Sequence, residues 1–226
     1  MDTRAPFPED FQLFLASQSP RRHSLLRELG VPFAIVTSDA QEALEGGPAD
    51  RLAEANAMAK VEHAYVPDDA LPGAFVLGTD TLVTLNGLVL GKPASRDEAR
   101  EMLSLLSGRR HEVVSGVALV RSGLPGANEE AAWRAEAATR VTSAVTQVTF
   151  ERLSPSAVEA YLASGEWKGK AGAYAVQGLA GFFVSRLQGE YSNVVGLPCC
   201  LLSRLFRELG FDLLQRLWYQ AEPKSL

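Results

Sequence analysis

The sequence predicts an α/β fold built on a mixed β-sheet. Three observations carry that reading. Short runs rich in Val, Thr and aromatic residues alternate along the chain with segments of helical spacing, so strands and helices are interleaved. Asn86-Gly87, flanked by LVTL and LVL, is the strongest short hairpin signal and specifies a type I′ turn. Hairpins within an alternating pattern demand antiparallel pairs, so the sheet is mixed and not purely parallel. A single domain over residues 11–212 with two lobes is expected, with flexible tails at 1–10 and 221–226.

Taken in order, residues 11–16 (FQLFLA) read as a buried strand. A helix follows, with Ser19 as N-cap, Pro20 in its first turn, and Gly30 just past its end. Residues 33–37 read as a second strand. Leu52, Ala55, Met58, Val61 and Tyr65 recur at helical spacing across 50–65. Residues 75–78 read as a strand that ends before Asp80, and the hairpin strands span 82–85 and 88–90. Ser95 with Glu98 forms a capping box for a helix through Leu106, closed by Gly108. Residues 111–120 and 137–150 read as strands joined by a long loop over 121–136. Ser154-Pro155 and Leu197-Pro198 open helices that end near Gly165 and Gly210, and 181–187 and 191–195 read as strands.

Composition excludes several classes of function. Lys and Arg number 22 against 27 Asp and Glu, a net charge of −5, which argues against a nucleic-acid polymer as partner. A small anion remains compatible, because a local cluster of cations can overrule the average. Residues 1–10 lack the apolar region of a signal peptide, and no run of about 18 apolar residues is free of charges and breakers. A cytoplasmic protein without membrane contact is expected. The two cysteines, Cys199 and Cys200, read as small hydrophobes in a core helix. His23, His63 and His111 show no zinc spacing, and no GxSxG, Walker A or GxGxxG pattern occurs.

Four segments can carry chemistry. Ser17, Ser19, Arg21 and Arg22 sit where a strand enters a helix. Consecutive arginines are unfavourable in a first helical turn unless an anion binds there; a solvated basic turn is the alternative. Asp80 follows a buried run and faces the crevice of an α/β sheet, where it can hold a divalent ion or deprotonate water, or simply form a turn. Lys92, held between Gly91 and Pro93, either points inward or lies on the surface. Residues 170–178 (KAGAYAVQG) are mostly small, so backbone can approach a ligand, with Lys170 and Gln177 supplying a charge and an amide; a glycine-marked turn and strand is the alternative.

Together, residues 15–30 (LASQSPRRHSLLRELG), 78–93 (GTDTLVTLNGLVLGKP), 106–113 (LSGRRHEV), 170–178 and 191–198 (YSNVVGLP) resemble, in this order, the Maf family of nucleoside triphosphate pyrophosphatases. The resemblance implies an elongated mixed sheet flanked by helices, related to inosine triphosphatase-like enzymes, with the site in a cleft between two lobes. It implies hydrolysis between the α and β phosphates, giving a monophosphate and pyrophosphate with Mg²⁺ or Mn²⁺, and a homodimer. By position, Asp80 corresponds to the family's proton acceptor. Ser17, Arg21, Arg22, Glu42, Lys60, Lys92 and Gln177 match its other polar site positions. Arg22, Thr81 and Gln177 match the branch preferring dTTP and UTP; the branch preferring 7-methyl-GTP differs around the last two. Thr79, Val176 and the long 121–136 region depart from the usual pattern. The implied roles are catalysis by Asp80, Glu42 and Lys92, and metal binding by Glu42 and Asp80. Ser17, Arg21, Arg22, Lys60, Thr81, Lys170 and Gln177 would bind substrate. Competing readings are a pyrophosphatase for a modified purine nucleotide and a nucleotide-binding regulator of cell division with little turnover.

Overall fold

A seven-stranded mixed sheet lies at the centre of the computed structural model, which describes residues 5–123 and 137–218. Its strands are β1 (Leu13–Ala16), β2 (Ala34–Ile35), β3 (Phe75–Leu85), β4 (Leu88–Leu90), β5 (Arg110–Arg121), β6 (Ala138–Phe150) and β7 (Val184–Gln188). The order is β2-β1-β3-β5-β6-β7, with β4 also paired to β3. β1 runs parallel to β2 and β3, and every other pair is antiparallel. The helices are α1 (Pro20–Glu28), α2 (Ala49–Glu62), α3 (Arg96–Leu106), α4 (Pro155–Ser164), α5 (Tyr191–Val195) and α6 (Cys199–Glu208). A short pair, β8 (Phe211–Asp212) and β9 (Leu217–Trp218), follows α6.

The period-2 alternation of β3 and β5 sorts their side chains onto two faces. On one face Phe75, Leu77, Val117 and Leu119 pack with Leu26 of α1 and Leu202, Leu205 and Phe206 of α6. Further along the same face, Val83, Leu85 and Val113 pack with Leu103 and Leu106 of α3 and Tyr161 and Leu162 of α4. Thr79, Thr81 and Ser115 fall between these two apolar clusters and form a polar layer. The opposite face is covered by α2. Gly78 and Gly116 let that helix settle onto the strands: a Cβ at Gly116 would lie 2.0 Å from the Ala53 carbonyl oxygen, and one at Gly78 2.2 Å from that of Ala57.

One edge of β3 is incomplete. β5 lines its far side from Phe75 to Thr84, whereas the near side pairs with β1 only at Phe75–Gly78 and with β4 only at Val83–Leu85. Residues 79–82 therefore have no strand neighbour on the near side. Asp80 and Thr81, which point to opposite faces, both open into that gap.

Several expectations need correction. Residues 75–85 form one strand, so Asp80 lies in mid-strand and not at a strand's end. Residues 191–195 are helical, and 181–187 divide into a 3₁₀ turn and β7. Ser19 precedes α1 as expected, but its hydroxyl caps nothing; Ser17 Oγ accepts the Ser19 N–H at 3.3 Å instead. Cys199 is half-buried and Cys200 exposed, because both sit at the start of α6 and not on its apolar face. Residues 5–10, assigned to a tail, pack onto the body: Phe7 lies 4.8 Å from the Phe11 ring, and Arg216 donates to the Ala5 carbonyl at 2.6 Å. The Asn86-Gly87 turn is as expected, with φ of 52° and 84°, and Ser95 accepts the Glu98 N–H at 3.1 Å. From residue 124 onward the expected 121–136 loop lies outside the described residues, as does the 221–226 tail.

The seating of α2 yields a direct test. Replacing Gly116 by Ala forces a methyl into the Ala53 carbonyl, so Gly116→Ala should lower stability by about 1–3 kcal/mol in urea unfolding. An unchanged unfolding midpoint would contradict the close approach of α2 to the sheet.

Candidate active site

A cavity of about 470 Å³ opens at the gap beside β3, a volume suited to a nucleotide-sized ligand. Each of the ten residues singled out in the sequence lines it. Its wall carries five cationic side chains, Arg21, Arg22, Lys60, Lys92 and Lys170, against two carboxylates, Glu42 and Asp80. The cavity thus has an excess of three positive charges in a chain whose net charge is −5.

Lys60 organises the acidic side of the cavity. Its ammonium donates to Asp80 Oδ1 at 2.7 Å, to Glu42 Oε1 at 2.7 Å and to the Thr79 carbonyl at 3.1 Å. That last bond satisfies a carbonyl next to the vacant edge of β3. Asn56, one turn earlier on α2, donates to Asp80 Oδ2 at 2.9 Å, so both carboxylate oxygens have a donor. Asn56 also pairs with both main-chain groups of Ala43, at 2.8 and 2.9 Å, which fixes the loop bearing Glu42. Lys92 closes the set by donating to Glu42 Oε2 at 2.6 Å. Partial burial alone would raise the Glu42 carboxyl, but Lys60 and then Lys92 outweigh it and hold it at about 2. Glu42 is ionised throughout the neutral range.

The basic side is built from α1 and α5. Arg22, 8% exposed, donates to the Gly196 carbonyl at 2.8 Å, to Ser17 Oγ at 2.9 Å and to Thr81 Oγ1 at 3.0 Å. Arg21 donates to the Val195 carbonyl at 3.1 Å. Neither guanidinium has a carboxylate in salt-bridge contact among the described residues. Burial pulls Arg22 down to about 10, partly offset by the charge of Asp80, and burial lowers Arg21 as well. Lys170 is lowered too, by burial first and then by Arg21. These directions mark cations held together in a partly desolvated site, a cost that a bound anion relieves. His23 supports the turn from behind: its Nε2 lies 2.8 Å from the Ser17 carbonyl, which can only accept, so that nitrogen carries the hydrogen.

Asn56, Ser115 and Asn193 join the site without having stood out in the sequence. Asn56 and Lys60 are two polar positions on the otherwise apolar face Leu52, Ala53, Ala57 and Val61, a pattern that marks a buried polar contact. Ser115 of β5 and Asn193 of α5, each fully buried, tie Thr81 and α5 to the sheet. His111, also buried, donates to or accepts from Tyr174 at 2.9 Å and is pulled down to about 4 by burial, so it is neutral and structural. Among the described residues no group of three or more His, Cys, Asp or Glu is placed to hold a metal ion. Nor is any helix long and apolar enough to cross a membrane.

Residues 12–209 match the Maf-like protein family, which takes in the whole sheet, α1 to α6 and every wall of the cavity. Three relatives are named dTTP/UTP pyrophosphatase. That of Pelotomaculum thermopropionicum is 40% identical over 205 residues, covering 90% of this chain and 99% of the relative. That of Moorella thermoacetica is 44% identical over 203 residues, covering 89% and 96%. The Thermococcus gammatolerans protein is 40% identical over 204 residues, covering 90% and 100%. With the match running through β1, β3, α2 and α5, the elements that meet at the cavity, the chain belongs to the Maf-like protein family.

Proposed function

We propose that this protein is a nucleoside triphosphate pyrophosphatase that hydrolyses dTTP and UTP to the monophosphate and pyrophosphate. The observation that carries the reading is the cavity's excess of cations, organised around a buried Asp80. A triphosphate needs several positive charges to bind, and its leaving pyrophosphate needs them more as the bond breaks. The relatives' shared name supports the choice of dTTP and UTP, and Arg22, Thr81 and Gln177 all line the cavity.

In this reading Arg21, Arg22 and Lys170 bind and orient the phosphates. Lys60, held by Asp80, Glu42 and the Thr79 carbonyl, and Lys92, held by Glu42, add positive charge to the cavity wall that faces the phosphates. Asp80 accepts a proton from the water that attacks the α phosphorus, and Asn56 holds its other oxygen so that the free lone pairs keep one direction. A divalent cation suits the donor set. Asp80 and Glu42 are hard carboxylates whose oxygens already converge on a single ammonium, Lys60. They would hold Mg²⁺ or Mn²⁺, and the bound ion would supply charge neutralisation on the triphosphate. The substrate is a free nucleotide and not a nucleic-acid polymer, and the expected setting is the cytoplasm.

Pyrophosphate release from a nucleotide panel with Mg²⁺ or Mn²⁺ tests this reading. dTTP and UTP should be the best substrates; a preference for 7-methyl-GTP would overturn the substrate assignment, and no release from any nucleotide would overturn the activity. Asp80→Asn should reduce turnover of dTTP by about 10³-fold while the melting profile shows a folded protein. Near-normal turnover in that variant would remove Asp80 from the chemistry.

A further inference from the structure

The hydroxyl of Thr81 belongs to a chain of hydrogen bonds whose two ends have a set direction: Arg22 can only donate and the Asn193 carbonyl can only accept. Thr81 and Ser115 stand opposite each other in the β3–β5 register, and their oxygens are 2.9 Å apart. Beyond Ser115 Oγ, at 3.3 Å, is the main-chain carbonyl of Asn193. A carbonyl can only accept, so the arrangement that makes every bond of the chain sends the single Ser115 hydrogen to Asn193. Ser115 Oγ then receives the Thr81 hydrogen. In that arrangement Thr81 Oγ1 acts toward its other neighbours as an acceptor: Arg22 donates to it at 3.0 Å, and Thr81 lines the cavity.

The far end of this chain is rigid. The Asn193 side chain donates to the Val113 carbonyl at 3.0 Å, to Thr146 Oγ1 at 3.0 Å and to the Ala144 carbonyl at 3.3 Å, which ties α5 to β5 and β6. The next carbonyls of the same segment, Val195 and Gly196, receive Arg21 and Arg22. Both arginines and the Thr81 hydroxyl are therefore referenced to one short element. Ser115 and Asn193 are both fully buried, within a polar layer that interrupts two apolar clusters. In the same layer Thr79 Oγ1 is buried without a partner, whereas Ser115 Oγ has one on each side.

We propose that Ser115 is a positioning residue for the reaction. It keeps the Thr81 hydroxyl as an acceptor, so that Arg22 stays aimed into the cavity and any substrate group that meets Thr81 must donate. The proposal rests on the cavity being the nucleotide site.

The test is a double-mutant cycle on dTTP hydrolysis with Ser115→Ala and Thr81→Val. Ser115→Ala should raise KM about five-fold, the worth of one net hydrogen bond, and leave kcat within about two-fold. Thr81→Val should also raise KM, and adding Ser115→Ala to it should raise KM no further. An unchanged KM in Ser115→Ala, or effects that multiply in the double variant, would overturn the positioning role, since a merely structural serine would act independently of Thr81. Should Ser115→Ala fail to fold, Ser115→Cys, nearly isosteric but a weak donor, gives the same comparison. An inactive wild type would instead defeat the functional reading; an active wild type with independent effects defeats only this inference.

Discussion

The ammonium of Lys60 is the point on which the rest of the site depends. It sits between Asp80 and Glu42, 2.7 Å from each, with 11% of its side chain exposed. Two carboxylates this close would repel and shed one charge without it. For Lys60 to reach them, α2 must lie almost in contact with the sheet, and Gly78 and Gly116 supply the space. The same closeness brings Asn56 to Asp80 and, through Ala43, fixes the loop that carries Glu42. Losing one partner from a buried ionic cluster costs about 3–5 kcal/mol, so sheet, helix and loop are coupled through one charge.

A second constraint comes from the opposite face of β3. Its apolar alternation breaks at Thr79 and Thr81, and α5 with Arg22 meets the sheet there. Because the near edge of β3 is vacant over residues 79–82, groups from both faces reach one cavity. Acidic groups approach from the α2 side and arginines from the α1 side. The net charge of −5 and a cationic cavity are thus compatible: the remaining acids lie elsewhere on the chain, and the local excess of three positive charges lies at the cavity. Charge overall disfavours a polymer, while its placement suits a single triphosphate.

Local signals in the sequence disclosed most elements. The capping box at Ser95, the Asn86-Gly87 turn and the helical spacing of α2 all act within a few residues. The failures share a cause. Residues 78–81 look like a turn because Gly and Asp are poor strand formers; they remain in β3 because Lys60 and Asn56, from about 20 residues earlier, satisfy the carboxylate. Residues 191–195 look like a strand because of paired valines, but five residues are too few to show helical period, and Asn193 is pinned by carbonyls and a hydroxyl of β5 and β6. Arg21, Arg22, Asp80, Lys92 and Lys170 stand out locally, at a helix start, within an apolar run or beside glycines, whereas Glu42 and Lys60 enter only through the family resemblance, because their loop and helix carry no local mark of the contact they make. Asn56, Ser115 and Asn193 were not legible, because neutral polar residues acquire meaning only from partners distant in sequence.

In the proposed reaction this cavity directs water to the α phosphorus of a pyrimidine nucleoside triphosphate. Hydrolysis of dTTP in ¹⁸O-labelled water, with products read by mass spectrometry, tests it most directly. The account predicts label in the thymidine monophosphate and none in the pyrophosphate. Label in the pyrophosphate, or release of inorganic phosphate with thymidine diphosphate, would contradict it.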